Sequence, residues 1–420
     1  MKHKTDLKET VIGKIPEDWV LVDIGDLFNV KNGKTNSQDA IEGGKYPLFD
    51  RSTQIKLSNK YLFDSEAIIM PGEGKEFIPR YFYGKFDLHQ RVYAITPKTN
   101  DVCLKFFYYW MYYYRDFLAR IAVGSTVKSL RLNHLLSFPA PKPNLLEQQA
   151  IAKVLSDLDS KIELNNQINS NLEAMAQAIF KHWFVDFEFP DEKGNPYKAS
   201  GGKMIESQLQ EIPKNWKIAK LGKFIRIERG LSYNGAGLTE TGLPMINLGT
   251  VGPNGSFVYN GLKFYSGEYK ERNLVKAGDI VIANTDITQN REVLGSAIIV
   301  PKELGSDKIL FTHHIYAVRN DSKLPNIFIY YLFQTHEYRN RARGYATGTT
   351  VLALPEDAIL NLDFIIPDDI TLKHFEALVN PIRAKFSENI IENKKLVSIR
   401  DSLLPKLMSG KIRVPMVTAK

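Results

Sequence analysis

Apolar positions recur every seven residues in two long stretches, about 145–184 and 372–408. The first series is Ile151, Leu158, Asn165, Leu172 and Ile179; the second is Phe375, Ile382, Asn389, Leu396 and Leu403. Each is apolar except for an asparagine at its middle. A seven-residue apolar repeat keeps one stripe of a helix turned toward a partner. Val154, Leu155, Ile162, Ile168 and Met175 widen the first stripe, and neither stretch has an interior glycine. The pattern predicts two long helices, each roughly 60 Å at ~1.5 Å per residue. That length suits a spacer better than a small core. Pro381 and Pro405 lead us to expect a kink or a late start in the second helix.

Outside these stretches the apolar runs are of strand length. Ala67–Met70 and Asp279–Ala283 form one matched pair, and Val92–Ile95 and Ile315–Val318 another. Histidines precede the second pair: His89 in one copy, His313 and His314 in the other. Were the last two on a strand, they would point to opposite faces. An aromatic segment follows each pair, Phe106–Tyr114 and Ile327–Phe333, and is expected to be a helix packed on a sheet. The pattern predicts an α+β unit with a twisted, mostly antiparallel sheet.

The chain is internally duplicated. Ile15-Pro16-Glu17-Asp18-Trp19, Gly25 and Gly33 reappear as Ile212-Pro213-Lys214-Asn215-Trp216, Gly222 and Gly230, 197 residues later (212 − 15). Gly124-Ser125-Thr126-Val127 and Leu130 reappear as Gly348-Thr349-Thr350-Val351 and Leu354, 224 later (348 − 124), and the long helices keep that offset. The second copy therefore carries about 27 extra residues (224 − 197) between Pro244 and the GTTV stretch. The expected order is a globular unit over 1–144, a long helix and linker over 145–200, a second globular unit over 201–370, and a second long helix over 371–420. Pro139, Pro141 and Pro143 are expected to close the first unit and keep any strand out of the helix. The polar, Gly- and Pro-containing segment 189–203 reads as the linker.

The 420 residues carry a formal net charge of +8, with a sequence pI near 9.1. That favours an anionic partner, nucleic acid first. A single cysteine, Cys103, excludes an intrachain disulfide and reads as a small buried apolar residue. The start, Met1–Glu9, is polar and charged, unlike a signal peptide. The uncharged run FFYYWMYYY is far shorter than the ~18–20 residues of a membrane helix, so a cytoplasmic protein is expected.

Motifs for catalysis are missing from the sequence. No Gly-x4-Gly-Lys-Ser/Thr phosphate loop occurs, and no strand-bound GxGxxG. Asn195-Pro196-Tyr197 lacks the second proline of an adenine amino-methyltransferase pocket. Pro190-Asp191-Glu192-Lys193 places in one turn what a PD-(D/E)xK nuclease distributes over two strands. The eight histidines show no metal-ligand spacing. Two other classes remain as alternatives: a stand-alone nuclease or methyltransferase with an unrecognised site, and a duplicated scaffold with no nucleic-acid role.

The IPEDW and IPKNW entries, the GSTVKSL and GTTVLAL loops, the EQQAIAKVLSDLDSKIELN helix from Glu147 and the long linker from Phe184 carry a resemblance. The chain resembles the specificity (S, HsdS) subunit of type I restriction-modification systems, over its whole length and in family order. The resemblance implies two target recognition domains of α/β type, each reading half of a bipartite, asymmetric site in double-stranded DNA. It implies that two long antiparallel coiled-coil helices separate them and dock two modification subunits. Restriction subunits join that core. S-adenosylmethionine, ATP and Mg2+ belong to those partners; this chain is expected to bind no cofactor or metal and to carry out no chemistry.

Two regions are expected to meet DNA. The first comprises Lys75, Arg80, His89, Gln90 and Arg91, and in the second copy Asn284, Thr285, Asp286, Gln289, Arg291, His313 and His314. Arg and Lys suit guanine, Asn and Gln adenine, Asp cytosine, and these side chains follow apolar strands at loop positions. The copies agree in scaffold and differ in these residues, as two readers of different half-sites must. The second region comprises Ser125, Thr126, Lys128 and Arg131, with Arg341, Arg343, Thr347, Thr349 and Thr350. Hydroxyls beside glycine suit phosphate contacts. Ordinary solvated loops are the alternative for any one of these residues. Asn165 and Asn389 fall at the helix midpoints, where an antiparallel pair would bring them together. They are expected to hydrogen-bond and fix the register.

Overall fold

The computed structural model describes residues 6–288 and 290–415. Contacts gather these into two compact units. One is the chain up to Leu164 together with the residues from Asn393 onward; the other is Asn165–Glu392. The expected boundaries at 144, 200 and 370 follow the chain, whereas the compact units divide within both long helices.

The first unit is built on a six-stranded sheet. Its order is Phe28–Asn32, Val92–Pro97, Phe63–Pro71, Arg80–Leu88, Tyr46–Phe49 and Lys56–Ser58. Every pairing is antiparallel except that of Tyr46–Phe49 with Arg80–Leu88. Strand alternation sends Ile68, Met70 and Ile95 to one face and Ala67, Ile69 and Ala94 to the other. The helix Leu104–Tyr113 covers the first face with Phe106, Phe107 and Trp110. Both faces are buried, which explains runs that read as continuously apolar.

The second unit repeats this plan with its sheet divided. Four strands run in the order Ile225–Arg229, Ile315–Asn320, Ile280–Ala283 and Ala297–Ile299; five short ones form a second sheet around Leu243–Ile246 and Ile309–Phe311. Where the first unit has the single strand Arg80–Leu88, the second has Ala297–Ile299 and Ile309–Phe311 with residues 300–308 between them. Residues 247–262 occupy the place of 50–55. The extra length is thus distributed over several loops.

The proline segment keeps strand and helix apart as expected, the strand ending before Pro143 and the helix starting at Leu145, but it also carries a strand of its own. Pro139–Lys142 is itself a strand, paired with Val20–Asp23. Only alternate residues turn N–H groups toward a single neighbour, and Ala140 and Lys142 do so. The prolines, which have no N–H, therefore sit on an edge strand without loss.

The long helices are Leu145–Phe180, continued by a π-turn at Lys181–Val185, and Asp369–Met408. Pro381 and Pro405 neither delay nor interrupt the second. Within each unit their contacts run antiparallel. Arg400 pairs with Asp159 at 2.8 Å in the first unit, and Arg383 with Glu173 at 2.6 Å in the second. Within the second unit, amide side chains add to this contact. Asn389 Nδ2 donates to Asn169 Oδ1 at 2.9 Å, Asn165 Nδ2 to Glu392 Oε2 at 2.8 Å, and Asn169 Nδ2 to the Phe386 carbonyl at 3.2 Å. Asn165, Asn169 and Asn389 are all buried. The helix middle in the second unit thus rests on a cluster of four polar side chains, not on one asparagine couple. The heptad apolar residues flank it: Leu158, Ile162, Leu172 and Leu396 are half-buried. Those nearest the helix ends enter globular cores. Ile151 and Leu403 join the first, and Ile179, Phe375 and Ile382 the second.

Each helix start is tied to its unit by a tryptophan. Trp19 Nε1 donates to Glu147 at 3.1 Å, and Trp216 Nε1 to Asp368 at 3.0 Å. Asn144 and Asp368 cap the helices through the N–H groups of Glu147 (3.0 Å) and Thr371 (2.9 Å). Burial pushes the Asp368 carboxyl up, but the bonds from Thr371 and Trp216 outweigh it and hold the group below the usual carboxylate range. Such a group stabilises the fold above its unfolded value near ~3.9, and that contribution is lost as the pH falls through the folded value. Asp368→Asn keeps the cap without the charge. It is expected to lower stability by about 1 kcal/mol at pH 7. The gap to wild type should narrow as the pH falls below about 3.9 toward the lower folded value, as measured by urea denaturation at pH 7 and through the acid range.

Candidate nucleic-acid interface

In the first unit, the strands Phe63–Pro71 and Val92–Pro97 pair and open at one end into the loop after Pro71 and the turn before Val92. Gly72 N–H donates to the Arg91 carbonyl at 2.9 Å, and Leu130 N–H to the Gly72 carbonyl at 2.9 Å. Gly74 N–H reaches the Lys128 carbonyl at 3.0 Å. The Tyr93 hydroxyl locks the assembly by donating to the Leu130 carbonyl at 3.0 Å. The two candidate regions, far apart in sequence, thus form one loop cluster.

The second unit repeats this frame. Asn284 N–H donates to the His314 carbonyl at 3.0 Å, and Leu354 N–H to the Asn284 carbonyl at 2.8 Å. Thr285–Asp286 pairs with Leu352–Ala353, and the Tyr316 hydroxyl donates to the Leu354 carbonyl at 3.0 Å. Gly124 and Gly348 open the second loop of each cluster with φ of 122° and 101°. An added Cβ would lie 2.4 Å from the Val127 or Val351 carbonyl oxygen, so only glycine fits.

In the first unit Arg91 is exposed and paired with Glu73 at 2.9 Å. Glu73 also holds Arg51 at 2.9 Å. Sequence reasoning missed Arg51, which lies in a loop with no local signature. That loop is organised by buried Asp50, which accepts from the Ser52 N–H at 2.8 Å and from Ser37 at 2.9 Å, and pairs with Lys56 at 2.8 Å. Burial raises the Asp50 carboxyl, but these partners bring it well below its ordinary value. Lys75 is exposed, and Gln90 is exposed and donates to Asn36 at 2.8 Å. Ser125, Thr126 and Arg131 are exposed, as is Lys128, whose ammonium reaches the Ala119 carbonyl at 2.8 Å. Two candidates face inward. His89 is buried, its Nδ1 accepts from the Arg91 N–H at 3.0 Å, and burial followed by the nearby Arg51 charge lowers its pKa. Arg80 donates to the Ser52 carbonyl and lies 6.0 Å from the Phe49 ring, so it braces a loop.

The second unit corrects several expectations. Asp286 is buried; its carboxylate accepts from the N–H groups of Thr288 (2.6 Å), Val293 (2.7 Å) and Leu294 (3.0 Å). It shapes the loop and is not offered to a base. Arg291 has a positive φ of 53° and donates to the Arg343 carbonyl at 2.6 Å. Arg341 donates to the carbonyls of Ala358 (2.9 Å) and Asn361 (3.1 Å). Arg343 is half-buried, with its Nε enclosed. Arg291 thus ties the loop to the end of the helix His336–Gly344, and Arg341 satisfies carbonyls at the end of the helix Asp357–Leu360. Asn284 is buried and donates to the His313 carbonyl at 3.0 Å. His313 and His314 lie in a turn, not a strand, with ring centroids 3.9 Å apart. Thr347, Thr349 and Thr350 are exposed, and the Thr347 hydroxyl donates to the Ala353 carbonyl at 3.2 Å. Gln289 lies outside the described residues. Among the described residues no group of three or more His, Cys, Asp or Glu is placed to hold a metal, and no helix is long and apolar enough to cross a membrane.

The arrangement defines a class: a duplicated protein that presents, twice, one rigid frame carrying different polar side chains. Residues 16–174 match the family described as the type I restriction modification DNA specificity domain. The chain is 28% identical to the MjaIX type I restriction enzyme specificity subunit of Methanocaldococcus jannaschii, across 98% of each chain. It is 24% identical to the HindI specificity subunit of Haemophilus influenzae, across 94% of this chain and all of that one. The fold is similar to the crystal structure of a type I restriction-modification S subunit from M. genitalium, with a TM-score of 0.57 at 17% identity, covering 95% and 97% of the two chains. Residues 16–174 thus match this family's domain, and nearly the whole chain is similar to type I restriction enzyme specificity subunits.

Asp286→Ala removes the acceptor of three backbone N–H groups. It is expected to destabilise the second unit by about 2–3 kcal/mol, seen as a lower denaturation midpoint. Asp286→Asn should recover part of the loss.

Proposed function

We propose that this chain is the DNA sequence-recognition subunit of a type I restriction-modification complex, binding a bipartite, asymmetric site with one half read by each unit. The observation that carries this reading is the loop cluster. Its backbone frame occurs twice, while the side chains at its tip differ. A repeated scaffold with changed tips is what two readers of unlike sequences require. The net charge of +8 suits a polyanionic partner.

Two modification subunits are the partners proposed for the helices, with restriction subunits joining the complex. Exposed apolar residues recur on the helices at the duplication offset: Leu146 with Ile370, and Met175 with Ile399. A surface present twice fits two copies of one partner. S-adenosylmethionine, ATP and Mg2+ act on those partners, in the cytoplasm, and this chain supplies recognition without chemistry.

Co-expression with the modification subunit, followed by genome-wide mapping of methylated adenine, tests this. A split motif with one fixed gap is expected. Absence of sequence-specific methylation, or nuclease or methyltransferase activity of the chain purified alone, would overturn it. The polar helix middle is proposed to fix that gap through helix register. The double variant Asn165→Leu, Asn389→Leu should then methylate at more than one spacing; a single unchanged gap would refute the register role.

A further inference from the structure

The hydrogen bonds of the loop frame align the two units residue by residue. Gly72 bonds the Arg91 carbonyl and Asn284 bonds the His314 carbonyl. Leu130 and Leu354, 224 apart, bond Gly72 and Asn284 in turn. Glu73 bridges Ser129, and Thr285 pairs with Ala353, again 224 apart. Glu73 is therefore the counterpart of Thr285, and Arg91 of His314. The matched strands Val92–Ile95 and Ile315–Val318 already pair Arg91 with His314 in sequence, and the backbone bonds add the match of Glu73 with Thr285.

At these equivalent positions both units carry a side-chain couple of different chemistry. In the first, Arg91 Nη1 contacts Glu73 Oε1 at 2.9 Å, and the other oxygen of Glu73 holds Arg51 at 2.9 Å. Glu73 is 18% exposed, the arginines 60% and 46%. One enclosed carboxylate thus braces two outward guanidinium groups, each keeping donors free. In the second, Thr285 Oγ1 lies 3.0 Å from His314 Nδ1, which leaves Nε2 of that ring as its uncommitted nitrogen. Burial, then the neighbouring His313, lowers the His314 pKa and so favours the neutral ring.

Resting on the recognition role proposed above, we infer that these couples are the specificity-determining positions of the two units. Arg91 and Arg51, positioned by Glu73, select guanine in one half-site, and the Thr285–His314 couple reads the other half-site with uncharged groups. An arginine fork donates two of its five N–H groups to guanine O6 and N7, and a carboxylate behind it fixes the plane of the fork. A neutral imidazole offers one donor or one acceptor and suits a different base edge.

The test uses the full chain co-expressed with its modification subunit, with methylation mapped genome-wide. Arg91→Lys keeps the charge on an exposed side chain and removes the fork. It is expected to lower discrimination at a guanine position of one half-site by roughly ten-fold or more, leaving the other half-site and the gap unchanged. A phosphate contact would tolerate lysine, so an unchanged motif overturns the inference. Glu73→Gln keeps both arginines but removes their brace. It should relax the same half-site without reducing the salt dependence of DNA binding. Thr285→Val should alter only the other half-site; a change in the half-site affected by Arg91→Lys would also overturn the assignment. If wild type gives a split motif and every variant keeps it, this inference fails while the recognition role stands. If wild type gives no motif, both fall.

Discussion

A pair of long helices has too little core of its own, and the burial of its ends is the constraint on which the rest of the structure depends. In the first unit, Ile151 and Leu155 near the start of one helix share a core with Leu404, Leu407 and Met408 near the end of the other. In the second, Phe375 and Val379 share a core with Phe180, Trp183 and Phe184. Every one of these pairs with its counterpart at the offset of 224. Full burial of such a side chain contributes ~1.5–3 kcal/mol, so either group of five outweighs any single polar contact of the helices. Each globular unit is completed by helix segments distant in sequence. The chain therefore has to return, and the duplication provides the return.

The rest of the helices follows another rule. Away from the cores the stripe is half-buried, and the described contacts are charged or amide pairs: Asp159 with Arg400, Asn169 with Asn389, Glu173 with Arg383. Such pairs add little net stability, yet a mispaired register would leave each partner desolvated and unmatched. Apolar ends provide adhesion and a polar middle provides position. An all-leucine stripe would adhere more strongly and tolerate sliding.

Much of this was legible in the sequence, because periodicity and repetition are local signals. The helices followed from seven-residue spacing, the matched strands from apolar runs, and the duplication from recurring Gly and Trp. Pro381 was misleading, since it lies inside an uninterrupted helix, whereas Pro139 and Pro141 lie in a strand that stops short of the helix. A proline's effect depends on whether its missing N–H had a partner to lose, which is a property of the neighbours. At the loop cluster the difficulty was greater. A short carboxylate after a strand is equally a base reader and a turn organiser, and Asp286 proved to be the organiser. Arg51 carried no mark at all, since only the folded chain brings it to Glu73.

These misassignments share a cause that bears on how recognition changes. Polar side chains at the cluster fall into two sets. Asp50, Asp286, Arg80 and Arg341 satisfy backbone groups, and replacing them would leave donors or acceptors unpaired. Arg91, Gln90, Lys75 and the Ser125–Thr126 and Thr349–Thr350 tips are exposed, and the fold depends little on them. The backbone ties of Tyr93 to Leu130 and Tyr316 to Leu354 hold the frame whatever stands at the tips. On the proposed reading, a half-site changes by substitution among these exposed tips, Arg51 and the Thr285–His314 couple, without repacking either core.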